Sequence, residues 1–200
     1  MTDRYASISD LTKRHAPERD FRVRVRVCPG TTAIVAPHGG GIEPGTSEVA
    51  EAVAGDDFSF YAFEGMMRRG NRVLHIASTR FDEPQCVRLV EASPRAISIH
   101  GERSRRRVVF FGGLDKVTVA RLRRSLADCC FRVEEPQSTG LQGLCGANIC
   151  NRCQGGVGVQ LELSLGLRQS FFQSLSSRAG RRIRTERFER FVAAVRHAIR

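Results

Sequence analysis

The sequence predicts an α/β protein, one domain layered on a mostly parallel or mixed sheet. Two observations carry the prediction. Segments with strand periodicity alternate with segments of helical periodicity along the whole chain. The 200 residues, 41% of them hydrophobic, suffice for one substantial core, and no repeat, low-complexity tract or clear linker divides them. The expected unit is residues 1–200, with 1–20 as an N-terminal extension and the core from about residue 21 onward.

The elements follow in order. FRVRVRVC at 21–28 alternates apolar residues with arginine and reads as an amphipathic strand with one buried face. TTAIVAPHGGG then gives a short apolar strand that yields to a loop at Pro37. Thr46 or Ser47 can cap a helix through Val49, Val53 and Ala54, closed by Gly55. DFSFYAFEG and RVLHIAS read as strands, and EPQCVRLVEAS as a helix with Pro84 in its first turn. RAISIHG and RRVVFFGG are two more strands, and LDKVTVARLRRSLADCCF is a helix. GGVGVQLELSLGLR contains a strand with Val157, Val159, Leu161 and Leu163 on one face and Gln160, Glu162 and Ser164 on the other. The final helix, about 181–200, places Phe188, Phe191, Val192, Val195 and Ile199 on one stripe. Residues 136–146 form the longest stretch without a periodic pattern, a candidate active-site loop.

The formal charge is +11, and of the 32 lysines and arginines only Lys13 and Lys116 are lysines. That skew fits a GC-rich genome and lowers the weight of any single arginine. The charge still concentrates polyanions, nucleic acid and acidic polymer alike. No helix-turn-helix, zinc-finger or aromatic stacking motif accompanies it, so charge alone speaks for a nucleic-acid partner. The longest apolar runs, such as 108–111, are too short to span a bilayer. With no apolar leader at the N-terminus, the expected location is the cytoplasm, with release on cell lysis compatible with the sequence. A monomer is the default. Seven cysteines are present. Cys145, Cys150 and Cys153 make a C-x4-C-x2-C pattern with a single C-x2-C knuckle and no nearby histidine, whereas cysteine metal sites normally take four ligands. Reduced, structural cysteines are expected, with a metal or redox role for these three as the lesser alternative.

The stretch APHGGGIEP at 36–44 carries the chemistry. His38 follows an apolar strand, where α/β proteins place ligands, and three glycines separate it from Ile42 and Glu43. A glycine loop can fold both side chains toward one point and lets backbone and substrate approach closely. His100 ends the strand RAISIH, again before glycine. Two histidines and a carboxylate form the three-ligand set of a catalytic zinc site. Such a site needs a further acid to take a proton from water, and Glu162, in an otherwise apolar strand, is the candidate. Each has a plainer reading: a hydrogen-bonded loop histidine, or a glutamate paired with a surface arginine. His75 competes with His100, but its flanking Leu74 and Ile76 should face the core, which favours a structural or cleft role. His15 and His197 lie in polar terminal segments and should be solvated.

APHGGGIEPGTSE, FDEP, ISIHG, NICNR and GVQLELS, in this order, resemble the poly-γ-glutamate hydrolase family across about residues 27–168. The resemblance implies a zinc-carboxypeptidase-like three-layer sandwich, a mixed sheet with helices on both faces. It implies Zn2+ bound by His38, Glu43 and His100, with Glu162 of QLELS as the catalytic glutamate. The metal spacing here is H-x4-E, not the H-x2-E of ordinary carboxypeptidases, so the loop path differs. The implied activity is hydrolysis of γ-glutamyl amide bonds, foremost those of poly-γ-glutamate, with Glu162 as general base. The partner is then an anionic γ-glutamyl polymer, which suits a basic surface. Asn148 and Arg152 in NICNR are the candidates for binding its carboxylates, through an amide donor and a planar fork, the plainer reading being that Asn148 caps a turn and Arg152 is one more surface arginine. The alternatives are a zinc amidase acting on another γ-glutamyl or peptidoglycan substrate, and a basic, phage-related nucleic-acid-binding protein.

Overall fold

A computed structural model of the chain describes residues 3–136 and 138–200. The elements run α1 (Ile8–Thr12), β1 (Phe21–Arg26), β2 (Ala33–Gly40), α2 (Thr46–Ala54), β3 (Ser59–Gly65), α3 (Pro84–Glu91) and β4 (Ala96–Glu102). They continue with β5 (Val109–Gly113), α4 (Lys116–Asp128), β6 (Val133–Glu134), β7 (Val159–Ser164), α5 (Leu165–Gln169), α6 (Arg178–Arg182) and α7 (Glu186–Ile199). The strands form one sheet in the order β1-β3-β2-β4-β7-β5-β6. The pairs β2–β3, β2–β4, β4–β7 and β5–β6 are parallel, whereas β1–β3 and β5–β7 are antiparallel, so the sheet is mixed as expected.

Period-two alternation sends side chains to two cores, one on each face. Ile34, Ile97, Ile99, Leu161 and Leu163 pack with Val49 and Val53 of α2, Leu122 and Leu126 of α4, and Phe188, Phe191 and Val195 of α7. Ala33, Val35, Tyr61 and Phe63 pack on the other face with Leu89 and Val90 of α3. Tyr5, Ile8 and Leu11 join this second core, so the first twenty residues contribute to it. These two layers of helix over one sheet are the three-layer sandwich that the resemblance implied. Among the described residues, no helix is long and apolar enough to cross a membrane.

Several local expectations are corrected. RVLHIAS is not a strand. Gly70, at φ +75°, turns the chain into a 3-10 turn at Asn71–Leu74, and His75 leaves it extended. Thr46 and Ser47 lie inside α2, whose N-cap is Gly45; their hydroxyls serve the loop before it, Thr46 Oγ1 donating to Glu43 O (2.8 Å) and Ser47 Oγ accepting from Gly40 N (3.0 Å). The final helix begins at Glu186, capped by Thr185, after the short α6. The arginine face of β1 is not simply solvated: Arg22 pairs with Glu64 at 2.6 Å and Arg24 with Glu51, while Val25 is exposed. His15 is half-buried and meets Tyr5 Oη at 3.0 Å, whereas His197 is exposed.

Strand β2 also runs through Pro37 instead of ending there. Against β3, Ala36 pairs with Ala62 and Gly39 with Glu64, so three steps along β2 match two along β3. The extra residue is a bulge, at the place where Pro37 has no N–H to give to the ladder. A bulge reverses the inside–outside parity beyond it. Ile34 and Ala36 face the first core, but His38, in phase with them by count, emerges on the opposite face against Phe81. Gly40 at φ +63° then bends the loop, and a β-carbon there would stand 2.5 Å from Gly65 O. Gly39 and Gly41 are equally tight against Ser47 and Asn71, so protein, not substrate, fills the space that the glycines leave. Replacing Gly40 by alanine should cost roughly 1–3 kcal/mol of folding stability, because the residue would combine a left-handed backbone with a backbone clash. Urea unfolding monitored by circular dichroism checks this, with Gly70→Ala, whose site is open, as the strain-only comparison.

Candidate metal centre and cleft

The parallel strands β2, β4 and β7 end on one side of the sheet, where α/β folds gather ligands. His38 comes from β2, His100 from β4 and Glu162 from β7. His100 and Glu162 are direct register partners, on the same face as Ser98 and Gln160. Glu43 is delivered by the glycine loop, which closes with Glu43 N donating to His38 O at 2.9 Å. All four side chains are buried, and all line a cleft of about 660 Å³.

The donors converge. His38 Nε2 lies 2.7 Å from the carbonyl of Ile76, which only accepts, so Nε2 carries a hydrogen and Nδ1 is the nitrogen turned inward. His38 Nδ1 is 3.1 Å from His100 Nδ1 and 3.6 Å from Glu43 Oε2, and His100 Nδ1 is 3.9 Å from Glu43 Oε2. Ligands at about 2.0–2.1 Å from a tetrahedral zinc stand about 3.3 Å apart, so this N, N, O triangle fits the ion in donor type and in spacing. His75 adds a third imidazole. It stacks on His38 with centroids 4.0 Å apart, its Nε2 faces Glu43 Oε1 at 3.9 Å, and its ligand atom lies within 4.8 Å of those of His38 and Glu43. Asp3 accepts from His75 Nδ1 at 2.7 Å and from Ala77 N and Arg80, each at 2.7 Å, which aims the ring at the cleft.

Burial alone would raise the Glu43 pKa. The charge and hydrogen bond of His38, the charge of His100 and the Gly101 N–H, donating to Oε2 at 2.7 Å, outweigh it and bring the carboxyl down to about 2. Burial, followed by repulsion from His38, brings His100 down to about 3. Glu162 moves the other way. Burial and then the charge of Glu43 push it well above the usual carboxylate range, against the hydrogen bond from Gln160. Arg168, buried beneath the loop, donates to the carbonyls of Leu163, Pro44 and Glu102 at 3.0, 2.7 and 2.9 Å, and its charge draws Glu162 downward.

Asn148 lines the cleft, but its amide faces inward: Nδ2 donates to Gln160 Oε1 at 2.8 Å, and Gln160 Nε2 donates to Glu162 Oε1 at 2.9 Å. Arg152 lies apart from the cleft, its guanidinium on Glu91 at 2.7 Å on the outer surface. The cationic residues in the cleft wall are Arg72 and Arg103. The loop 138–145 forms the opposite wall, as expected of the unpatterned stretch, within which Gln137 lies outside the described residues. Among the described residues no cysteine belongs to a group of three potential metal ligands; Cys150 and Cys153 are buried, and Cys145 is exposed. Asp3, Gln160 and the two arginines carry no assignment from sequence, and His75 only a structural or cleft role. The Gly70–Asn71 turn signal could have taken His75 off a strand, but Asp3 is 72 residues away from it and carries no local signal.

Residues 5–194 match the poly-γ-glutamate hydrolase family. The UPF0714 protein YndL of Bacillus subtilis (strain 168) is 34% identical over 194 residues, spanning 94% of this chain and 75% of YndL. The structure of a bacteriophage poly-γ-glutamate hydrolase superposes with a TM-score of 0.95 at 31% identity, covering 98% of this chain and 96% of that one. Zinc-free apo YndL superposes with a TM-score of 0.93 at 33% identity, covering 98% and 97%.

The His100 imidazole, with its pKa at about 3 in the fold and 6.5 unfolded, makes the unfolded chain bind one more proton between those values. Stability of chelator-treated protein should therefore fall as pH drops from 6.5 toward 3, by at most about 1.4 kcal/mol per unit from this residue. Denaturant titrations across that range should show a shallower acid loss in His100→Gln.

Proposed function

Because the chain belongs to the poly-γ-glutamate hydrolase family, and is a hydrolase by that membership, we propose that it is zinc-dependent and cleaves the γ-glutamyl amide bonds of poly-γ-glutamate. The observation that carries this reading is the approach of His38 Nδ1, His100 Nδ1 and Glu43 Oε2 to within 3.9 Å of one another in a cleft that Glu162 also lines. His38, Glu43 and His100 would hold the ion, with His75 beside them. A zinc ion held there supplies a Lewis acid for the carbonyl under attack and brings the pKa of a water toward neutrality.

The remaining work falls to the chain's own residues. Glu162 takes the proton from the attacking water and returns it to the leaving amine. Gln160 holds Oε1 of Glu162, and Asn148 holds Gln160, so the carboxylate is oriented by two successive amides. In this reading Asn148 positions the acid–base residue and does not bind substrate. The low pKa of Glu43 suits a ligand, which has to stay ionised. Each unit of a γ-linked glutamate polymer carries a free α-carboxylate, for which Arg72 and Arg103 in the cleft wall are the cationic partners. Arg152, on Glu91 outside the cleft, has no part in it.

Glu162→Gln should fold and retain its metal, but lose about 10²- to 10⁴-fold in kcat on poly-γ-glutamate, read by the release of new amino termini. Chelation should abolish turnover and added zinc restore it; elemental analysis that finds no zinc in active protein would overturn the metal assignment. Asn148→Ala should lower kcat by about tenfold with little change in KM, the sign of a lost positioning contact and not a lost substrate contact.

A further inference from the structure

A second hollow, of about 1000 Å³, lies on the other side of the glycine loop. His38 and Glu43 face the metal cleft, whereas Gly40, Gly41 and Pro44 of the same loop line this hollow, and Arg72 stands in the walls of both. Among the described residues the lining carries nine arginines and three glutamates. Every one of these glutamates is already engaged: Glu64 with Arg22 at 2.6 Å and Arg24 at 3.5 Å, Glu51 with Arg24, and Glu48 with Arg181 at 2.6 Å. Arg68, Arg69 and Arg182 are exposed, and none has a carboxylate within ion-pair distance among the described residues. A concave surface of one sign focuses its field into the hollow and gathers counter-charges there.

We propose that this hollow is an accessory site for the carboxylates of an anionic polymer, holding a segment of the same γ-glutamyl chain away from the bond being cut. The inference rests on the proposed function for the identity of the polymer. Guanidinium forks match carboxylates bidentately. Among the described residues the lining holds no aromatic side chain on which a nucleic-acid base could stack, which favours a carboxylate polymer over a single-stranded nucleic acid. Arg72 joins the two hollows, so one extended chain can occupy both.

The test is equilibrium binding of end-labelled long poly-γ-glutamate in the Glu162→Gln background, which separates binding from cleavage. Combining Arg68→Gln, Arg69→Gln and Arg182→Gln should weaken binding about tenfold and flatten its salt dependence. Removing the same charge elsewhere, by Arg14→Gln, Arg121→Gln and Arg124→Gln, should change affinity by less than about twofold. Unchanged affinity in the first triple variant, equal losses in the two, no binding by the parent protein, or tighter binding of a single-stranded oligonucleotide of equal charge overturns the proposal. Without mutation, bound polymer should protect Arg68, Arg69 and Arg182 from phenylglyoxal, read by mass spectrometry; no protection also overturns it. Failure of the hydrolase reading shows separately, as unmutated, zinc-loaded protein that leaves the polymer intact.

Discussion

The ionised carboxylate of Glu43 is buried, and an isolated buried charge costs several kcal/mol. What offsets that cost is the ring of polar groups about it: the His38 and His100 imidazoles on Oε2, the Gly101 N–H donating to Oε2, and His75 on Oε1. Arg168 closes the floor below, clamped on three carbonyls. A β-carbon on Gly101 would meet both the Arg168 guanidinium at 2.7 Å and Glu43 Cβ at 2.9 Å, so the chain there must be glycine for the carboxylate to be held so closely. The same arrangement that stabilises Glu43 leaves three donor atoms turned toward one point.

That convergence depends on the sheet. A regular β2 would have put His38 into the first core with Ile34 and Ala36. The bulge at Pro37 reverses its side, and the parallel register of β4 on β7 sets His100 beside Glu162. His38, His100 and Glu162 thus come from the ends of three strands buried on both faces, and Glu43 from the loop that follows β2. The walls come from irregular segments, the 3-10 turn before His75 and the loop 138–145, whose sequence can change without disturbing the floor.

Much of the fold was legible because its helices and strands each have one buried face, and local periodicity records burial. β3, β4, α3 and α4 lie where the pattern put them, as does β7 from Val159 onward, with Val157 exposed before it. RVLHIAS was not legible: its apolar residues are buried as Leu74 and Ile76 are, but by a turn packed under Phe81 and Phe63, and a short apolar run does not distinguish the two. The arginines of β1 misled for a related reason. Alternation marks two faces, but not that the polar face would be turned onto Glu64 and Glu51.

For the site, residue type and position after strands made His38, Glu43, His100 and Glu162 candidates beside plainer readings, and it was the family resemblance that chose them as a set. Tertiary structure alone decided that these four share one cleft, that Asp3 aims His75 into it, and that Asn148 faces Gln160 while Arg152 faces Glu91. The physical reason is range. Periodicity and turn chemistry act over a few residues, whereas the contacts that assign these side chains their partners span 12 to 72 positions and exist only once the sheet has closed.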